Sequence, residues 1–402
     1  MALNRKEFLL SLLLSTTVFL SGCKSNNGKD PDPEPDTYLV SSSEIRSFTR
    51  DQLVDQVGRQ LPASVRALIS SLLRYEIKVY KIVYNTKLPD GTAVKASGAI
   101  IVPQASTAVP MLSQQHATIL SDEDAPSNFG SNSDAAFGGT LLASTGFILA
   151  CPDYIGYGET KNLTHPYEHR ESLATVSLDL LRATKEFVKK NSIKWDERLF
   201  LTGYSEGGFA TMSLQKKIEE EFPSEFNLVA SSMGAGAYHK SAFMNYIINQ
   251  KTHGIASYNR LYLWVLLTYN DVYKLNKPMS YYLKEPYATQ VTQNGINTDI
   301  RVSISDAFTD SFKKAINDGT DTGFLNAVKD NDVYDWKPKT PTTLYHGTAD
   351  NLVFYFNSKD ALDAMKARGA TNVTLNSLEG RDHYTGVADY LLYTFLAFTN
   401  LQ

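Results

Sequence analysis

Residues 201–208 read Leu-Thr-Gly-Tyr-Ser-Glu-Gly-Gly, and this short stretch decides the fold. Gly203, Ser205 and Gly207 form the pattern G-x-S-x-G, which is typical of a serine on a sharp turn between a strand and a helix. Glycines are needed there because a Cβ two residues before or after the serine would clash across the turn. The stretch therefore predicts a nucleophile elbow with Ser205 at its tip.

The segments on either side of this turn have the patterns that the geometry requires. Residues 198–202 read as a buried strand that enters the turn, and residues 208–221 read as the helix that leaves it. The N–H of Glu206 then lies near a helix N-terminus, where it can face the negative charge that develops on an oxyanion. The alternative is a glycine-rich turn with an idle serine, and the flanking strand and helix argue against it.

The rest of the chain alternates between strand and helix patterns. Residues 49–73 predict one or two amphipathic helices broken at Pro62, and Pro89-Asp90-Gly91 predicts a hairpin between two β-rich segments. The predicted strands are 76–84, 94–102, 109–113, 146–151, 198–202, 228–232, 342–345 and 373–378. Two antiparallel strands followed by this alternation predict an α/β fold, with a mixed, mostly parallel sheet covered by helices on both faces.

Residues 236–339 interrupt the alternation and are crowded with aromatic side chains. We interpret this stretch as a helical insertion between two sheet strands, lying above the site as a cap. At helical spacing most of its tyrosines are expected to be packing residues, and the others to line a binding cleft. The sequence thus predicts one catalytic domain at 38–402, with 236–339 as its cap.

Several segments together carry a resemblance to a known superfamily. They are residues 203–208, residues 346–353 (His-Gly-Thr-Ala-Asp-Asn-Leu-Val), residues 380–383 (Gly-Arg-Asp-His), residues 152–160 (Pro-Asp-Tyr-Ile-Gly-Tyr-Gly-Glu-Thr) and residues 165–167 (His-Pro-Tyr). With them the chain resembles the α/β-hydrolases, closest to the esterase and secretory-lipase branch, over nearly everything after residue 37. The resemblance implies an α/β-hydrolase fold and cleavage of carboxylic esters through an acyl-enzyme. It also implies that the last two segments shape the pocket wall rather than perform chemistry.

A serine nucleophile needs a histidine base, and the chain has seven histidines. In α/β-hydrolases the triad follows the order Ser, Asp or Glu, His, which removes the three histidines that precede the serine. Between Ser205 and the pair His239 and His253 there is no acid at a strand end. His383 follows the last predicted strand and precedes an amphipathic helix, so it is the predicted base.

The base in turn needs an acid that orients it. Asp350 lies in the loop after the predicted strand 342–345. Because the carboxyl ends of parallel strands meet at one edge of a sheet, Ser205, Asp350 and His383 are expected to come together there. Asp382 is a weaker alternative acid, since it adjoins the histidine and would hardly reach its Nδ1.

The resemblance also implies a second oxyanion donor besides the N–H of Glu206. The family's loop after the third strand usually reads His-Gly-x, whereas this chain has Gln115-His116-Ala117-Thr118. Alanine in place of glycine narrows the choice of backbone conformations. The sequence therefore leaves open whether Thr118 or Ala117 supplies this amide.

Composition limits the partners of the protein. The 402 residues carry a net charge of −4 and 43 % hydrophobic side chains, a balance that gives no indication of nucleic-acid binding. No metal-ligand spacing, phosphate-binding loop or dinucleotide fingerprint appears, so we expect neither a metal nor a cofactor. The expected partner is an ester substrate, either a small molecule or an acyl group on a glycan or lipid.

The N-terminus predicts an exported protein. Arg5 and Lys6 precede an apolar run at 8–20, which has the length of a signal peptide and is too short to span a bilayer. The run ends in Leu20-Ser21-Gly22-Cys23, which is similar to a bacterial lipobox. Residues 1–22 are therefore expected to be cleaved off and Cys23 to carry the lipid that anchors the protein in the membrane.

The segment after this cysteine predicts a spacer. Residues 23–37 are polar and end in alternating proline and acidic side chains, and they are interpreted as a solvated tether, roughly 40 Å long at about 3 Å per residue. Lys24 is not the aspartate associated with retention in an inner membrane, so the outer membrane is favoured. The predicted location is the cell envelope, with contact to the membrane only through Cys23.

Two other functions stay open at this point. A serine peptidase of the prolyl-oligopeptidase type would use the same residues, but such enzymes usually bring a β-propeller, for which the roughly 100 residues before the first catalytic strand are too few. A non-catalytic binding protein on a hydrolase scaffold would not need the order of Ser205, Asp350 and His383.

Overall fold

The computed structural model describes residues 37–60 and 63–402. The predicted signal peptide, Cys23 and the predicted tether up to residue 36 lie outside the described residues. Within the described part nine strands form one sheet: β1 (Leu39–Phe48), β2 (Ile77–Lys87), β3 (Ala93–Pro103), β4 (Val109–Gln115), β5 (Ile148–Pro152), β6 (Trp195–Tyr204), β7 (Asn227–Gly234), β8 (Thr342–Gly347) and β9 (Val373–Leu378).

The order of the strands in this sheet is β1-β2-β3-β5-β4-β6-β7-β8-β9. The pairs from β1 to β5 are antiparallel, and every later pair, from β5–β4 to β8–β9, is parallel. The mixed, mostly parallel sheet predicted from the sequence is therefore confirmed.

The sequence did not predict β1. Its residues, Leu-Val-Ser-Ser-Ser-Glu-Ile-Arg-Ser-Phe, show no alternation of apolar and polar side chains, and only Leu39 is buried. This strand lies at the edge of the sheet and is held by its ladder with β2. The Glu186 carboxylate also accepts hydrogen bonds from the N–H groups of residues 37–39. Its strand conformation thus depends on distant partners rather than on a local pattern.

Helices cover both faces of the sheet. They are α1 (Arg50–Gln60), α2 (Ala63–Leu72), α3 (Thr140–Thr145), α4 (Arg170–Lys190), α5 (Glu206–Glu221), α13 (Phe356–Ala367) and α14 (Gly386–Thr399). The alternation within β6 shows how the two faces are filled. Leu199 and Leu201 belong to the hydrophobic cluster under α4 and α5, whereas Phe200 belongs to the cluster under α1, α3 and α14.

The chain between β7 and β8 forms seven α-helices, all within the described residues: α6 (Lys240–Asn249), α7 (Ala256–Val272), α8 (Met279–Tyr282), α9 (Tyr287–Asn294), α10 (Ile304–Ala307), α11 (Asp310–Asn317) and α12 (Thr322–Asp330). They have a hydrophobic core of their own, built around Tyr262, Tyr269 and Phe312. Leu352 and Val353, in the loop after β8, pack into the same core.

The register of the parallel strands brings four loops to one edge of the sheet. Gln115 pairs with Gly203, and Gly347 pairs with Leu378, so β4, β6, β8 and β9 end at similar heights. The loops that follow these strands carry the residues singled out by the sequence.

No described helix is both long enough and apolar enough to cross a bilayer.

Candidate active site

The turn after β6 holds Ser205 in a strained conformation. This residue has φ 58° and ψ −122°, an unfavourable backbone geometry for a side chain with a Cβ, and it immediately precedes α5. A Cβ on Gly203 would clash with the carbonyl of Gly207, and a Cβ on Gly207 would clash with the carbonyl of Gln115. The two glycines therefore allow the start of α5 to pack directly against the ends of β4 and β6.

The side chains of Ser205, His383 and Asp350 form one chain of hydrogen bonds. His383 Nε2 lies 2.9 Å from Ser205 Oγ, and His383 Nδ1 lies 2.6 Å from Asp350 Oδ2. A carboxylate only accepts, so Nδ1 carries the proton and Nε2 presents its lone pair to the serine hydroxyl. The Tyr204 hydroxyl donates to the carbonyl of His383 at 2.7 Å, which holds the histidine loop against β6.

The Asp350 carboxylate is buried and well supplied with donors. Its Oδ1 accepts the N–H groups of Leu352 and Val353, both at 2.9 Å. Burial alone would raise the pKa of Asp350, but the hydrogen bonds from His346 and His383 outweigh it and lower the pKa to about 2. This acid is therefore ionised at neutral pH. The contribution of His346 was not predicted from the sequence.

Asp382, the alternative acid, lies elsewhere. It is partly exposed, and its Oδ1 accepts hydrogen bonds from the N–H groups of Tyr384 and Thr385 and from the Thr385 hydroxyl. These bonds make it the cap of the turn before α14, and those from Thr385 lower its pKa. Of the two candidate acids, the structure brings only Asp350 to the histidine.

The two amides left open for the oxyanion differ in their hydrogen bonding. The Ala117 N–H donates to Asp134 Oδ2 at 2.9 Å, so it is already engaged. Within the described residues the Thr118 N–H has no acceptor. The Glu206 N–H is the first of α5 and has no acceptor within the helix. Asp134 was missed because nothing in the sequence connects it with the loop after β4.

Two buried pairs of ionisable side chains lie behind Ser205, and sequence reasoning found neither. Glu206 Oε1 is 2.7 Å from His165 Nε2, and Glu168 contacts Lys240. Burial raises the pKa of Glu168 and lowers that of Lys240. The only signal was the motif at 165–167, and no spacing rule shows that it meets the residue after the serine.

A cleft of about 730 Å³ opens between α7 and the loops that follow β4 and β5. Its apolar walls include Leu120, Ile155, Leu163, Trp264 and Leu267. Its inner wall is connected to the site by side-chain contacts, the first being the stacking of the Trp264 ring on Tyr167 at 4.6 Å between centroids. The Tyr167 hydroxyl in turn lies 3.0 Å from Thr118 Oγ1, on the loop after β4.

Cys151 is one of the two cysteines of the chain and the one that lies within the described residues. It is buried in β5, and burial raises the pKa of its thiol, so it is a packing residue rather than a nucleophile. No group of three or more His, Cys, Asp or Glu side chains among the described residues has the arrangement of a metal site.

Solved structures with the same fold include several hydrolases. An inferred hydrolase from Legionella pneumophila subsp. pneumophila is 23 % identical, with a TM-score of 0.78 over 90 % of this chain and 98 % of that chain. The rice cell wall degrading esterase LipA from Xanthomonas oryzae is 22 % identical, with a TM-score of 0.73 over 91 % of this chain and 97 % of that chain. Candida antarctica lipase A is 15 % identical, with a TM-score of 0.60 over 87 % of this chain and 78 % of that chain.

A search among curated proteins finds no significant match. The model of the secretory lipase family, however, matches residues 133–389, well over half of the chain. This range contains the elbow and the loops of Asp350 and His383. Because the family match and the shared fold agree, the chain belongs to the secretory lipases and is an α/β-hydrolase that cleaves carboxylic esters outside the cytoplasm.

Proposed function

We propose that Ser205 is the nucleophile of this ester hydrolase, with His383 as its base and Asp350 as the orienting acid. The observation that carries the proposal is the unbroken chain of hydrogen bonds, 2.9 Å from serine to histidine and 2.6 Å from histidine to aspartate. The strained backbone of the serine adds support, because such conformations persist where surrounding structure imposes them and cluster at active sites.

The reaction then follows from the positions of the protons. His383 Nε2 takes the proton of Ser205 as Oγ bonds to the ester carbonyl carbon, and Asp350 stabilises the imidazolium that forms. The imidazolium gives this proton to the leaving alcohol when the tetrahedral intermediate collapses to the acyl-enzyme. Water, deprotonated by the same imidazole, attacks the acyl carbon and releases the acid and the free serine.

The oxyanion of this intermediate is bound by the N–H groups of Glu206 and Thr118. Glu206 offers its amide at the N-terminus of α5, where the helix dipole also favours negative charge. Thr118 is chosen over Ala117 because the Ala117 amide is already bonded to Asp134. Asp134 thereby fixes the loop that presents the second donor.

The acyl chain of the substrate occupies the cleft beneath the cap, residues 236–339. The leaving alcohol must lie next to His383, which protonates it, whereas the cleft adjoins the oxyanion loop through Tyr167. The apolar walls of the cleft suit an aliphatic chain, because burial of each methylene contributes about 0.8 kcal/mol. A lipid or another long-chain ester is therefore the substrate class that we propose.

Leu163→Arg should reduce the preference for long acyl chains. Leu163 lines the cleft and is 40 % exposed, so a charged side chain there disturbs the cleft more than the fold. The ratio of kcat/KM for p-nitrophenyl decanoate to that for the acetate should fall by about tenfold or more, the loss of roughly two buried methylenes. Steady-state kinetics on both esters measure this ratio.

Leu401→Arg provides the matched control. Leu401 is also an exposed leucine, 48 % accessible, but it does not line the cleft. Its variant should keep the wild-type ratio. An unchanged ratio in Leu163→Arg would show that the acyl chain binds elsewhere.

The catalytic domain is held at the envelope by a lipid on Cys23 and by the tether 23–37. The support is the sequence: a positively charged start, an apolar run of signal length and the motif Leu20-Ser21-Gly22-Cys23. An anchor suits an enzyme that acts on external esters and must not diffuse away. The outer membrane is the proposed site of attachment.

Cys23→Ser should release the enzyme without preventing its export. The apolar run at 8–20 stays intact, but the thiol that carries the lipid is gone, so activity should move from the membrane fraction to the soluble fraction. Cys151→Ser, a change at the other cysteine, should leave the enzyme with the membranes. Intact-mass analysis that finds an unmodified Cys23, or a mature N-terminus elsewhere, would refute the anchor.

A substrate panel tests the proposed activity as a whole. Purified enzyme should hydrolyse p-nitrophenyl esters of short and long acids and leave a prolyl-amide substrate uncleaved. Cleavage of the amide at a comparable rate would indicate a peptidase. Binding of the esters without turnover would indicate a non-catalytic protein.

A further inference from the structure

A second histidine–carboxylate pair lies directly behind the nucleophile. Glu206 is the residue after the serine, and its side chain is only 1 % exposed. His165 is 3 % exposed, and its Nε2 is 2.7 Å from Glu206 Oε1. The hydrolytic steps described above use neither side chain, yet both are buried beside the oxyanion site.

The hydrogen bonds of His165 fix the number of protons in this pair. Its Nδ1 lies 2.6 Å from the carbonyl oxygen of Ile155, which only accepts, so Nδ1 must carry a proton. A neutral imidazole would then have a lone pair on Nε2, facing a carboxylate oxygen that also only accepts. A contact of 2.7 Å between two acceptors requires one more proton between them.

The surroundings of His165 indicate where that proton resides. Four aromatic rings surround the imidazole, with centroids between 5.1 and 6.0 Å away: Tyr154, Tyr157, Tyr167 and Trp264. The faces of such rings attract a cation. Gly156 lets the chain approach closely, since a Cβ there would lie 2.6 Å from the Cβ of His165.

We propose that His165 is a positioning residue, an imidazolium paired with the Glu206 carboxylate so that it holds the Glu206 amide towards the oxyanion and cancels the nearby charge. This inference rests on the proposed role of that amide. A lone carboxylate at this place would oppose the negative charge of the transition state, and burial would strengthen the repulsion. The pair also ties Glu206 to the backbone of Ile155, at the wall of the cleft.

A second cation that interacts with Glu206, Lys240, is engaged by another carboxylate. Its ammonium contacts Glu168. Other titratable groups that interact with Glu206 include three tyrosines, whose pKa burial raises, and the buried Glu168: Tyr154, Tyr157, Tyr167 and Glu168. None of them supplies a positive charge.

His165→Gln tests the charge apart from the hydrogen bond. A glutamine can still donate to Glu206 but carries no charge, so kcat on p-nitrophenyl butyrate should fall at least about tenfold, with KM changing much less. The double variant His165→Gln/Glu206→Gln removes the unpaired carboxylate and should recover most of that loss. If the double variant is as slow as His165→Gln, the role of His165 is packing and the proposal is wrong. Glu206→Gln alone completes the cycle.

His239→Gln is the matched control. His239 Nδ1 also contacts a carboxylate, that of Asp360 at 2.7 Å, but it lies outside the site. Its variant should keep kcat within about twofold. If His239→Gln lost as much kcat as His165→Gln, any histidine-to-glutamine change would have the same effect, and the proposal would be wrong.

A spectroscopic measurement does not depend on activity. In the ¹⁵N-histidine spectrum of the full chain near pH 7.5, His165 should show both ring nitrogens protonated, its signals being assigned by their loss in His165→Gln or His165→Asn. An unprotonated Nε2 would overturn the imidazolium. Labelling of the wild type with a fluorophosphonate tests the proposed function separately. If Ser205 is not the nucleophile, it stays unlabelled, whatever the protonation state of His165.

Discussion

Ser205→Ala should lower kcat on ester substrates by a factor of about 10⁴ to 10⁶. Members of a triad act as a unit, so loss of the nucleophile leaves only binding and oxyanion stabilisation. The fold should survive, because the side-chain contact of Ser205 is its hydrogen bond to His383 and alanine keeps the Cβ that this backbone already tolerates. Kinetics on p-nitrophenyl butyrate and thermal unfolding measure the two effects separately.

Ser213→Ala is the matched control for this variant. Ser213 is a buried serine on the same helix, α5, and its hydroxyl donates to the carbonyl of Phe209 at 2.8 Å. Its variant should retain wild-type kcat. If Ser205→Ala also kept activity near that of the wild type, the elbow serine would not be the nucleophile.

Asp350→Asn should lower kcat by about 10⁴. The asparagine amide would donate to His383 Nδ1, which moves the ring proton to Nε2 and leaves no lone pair for the serine hydroxyl. The imidazolium formed during attack would also lose its counter-charge, that of a carboxylate whose pKa of about 2 keeps it ionised. Kinetics across pH 6–9 measure this loss.

Asp382→Asn separates the two candidate acids. Asp382 caps the turn before α14, is partly exposed and does not contact His383, so its amide variant should lose less than about tenfold in kcat. If Asp382→Asn lost more kcat than Asp350→Asn, the orienting acid would be Asp382 instead.

Much of the fold follows from local pattern. Buried strands such as β6 are bounded by helix and turn signals, and their order along the chain predicts a mostly parallel sheet. β1 escaped prediction because an exposed edge strand needs no apolar alternation. Its conformation depends on β2, which follows it in the chain, and on Glu186.

The candidate site was predictable where chain order and strand ends constrain it. The sequence singled out Ser205, Asp350 and His383, and the structure brings these side chains together; their roles in catalysis stay predictions. What sequence reasoning could not supply is contact between distant loops. Asp134 meets the Ala117 amide and His165 meets Glu206 only after the sheet has formed, since no periodicity links such positions.

Chemical labelling tests the central proposal most directly. A fluorophosphonate reacts with a serine only when a neighbouring base activates it, so the enzyme should take up one equivalent and lose ester hydrolysis in parallel. Peptide mapping should place the whole adduct on Ser205, and the Asp350→Asn variant should react far more slowly. An adduct on another residue, or continued hydrolysis by fully labelled enzyme, would contradict the account.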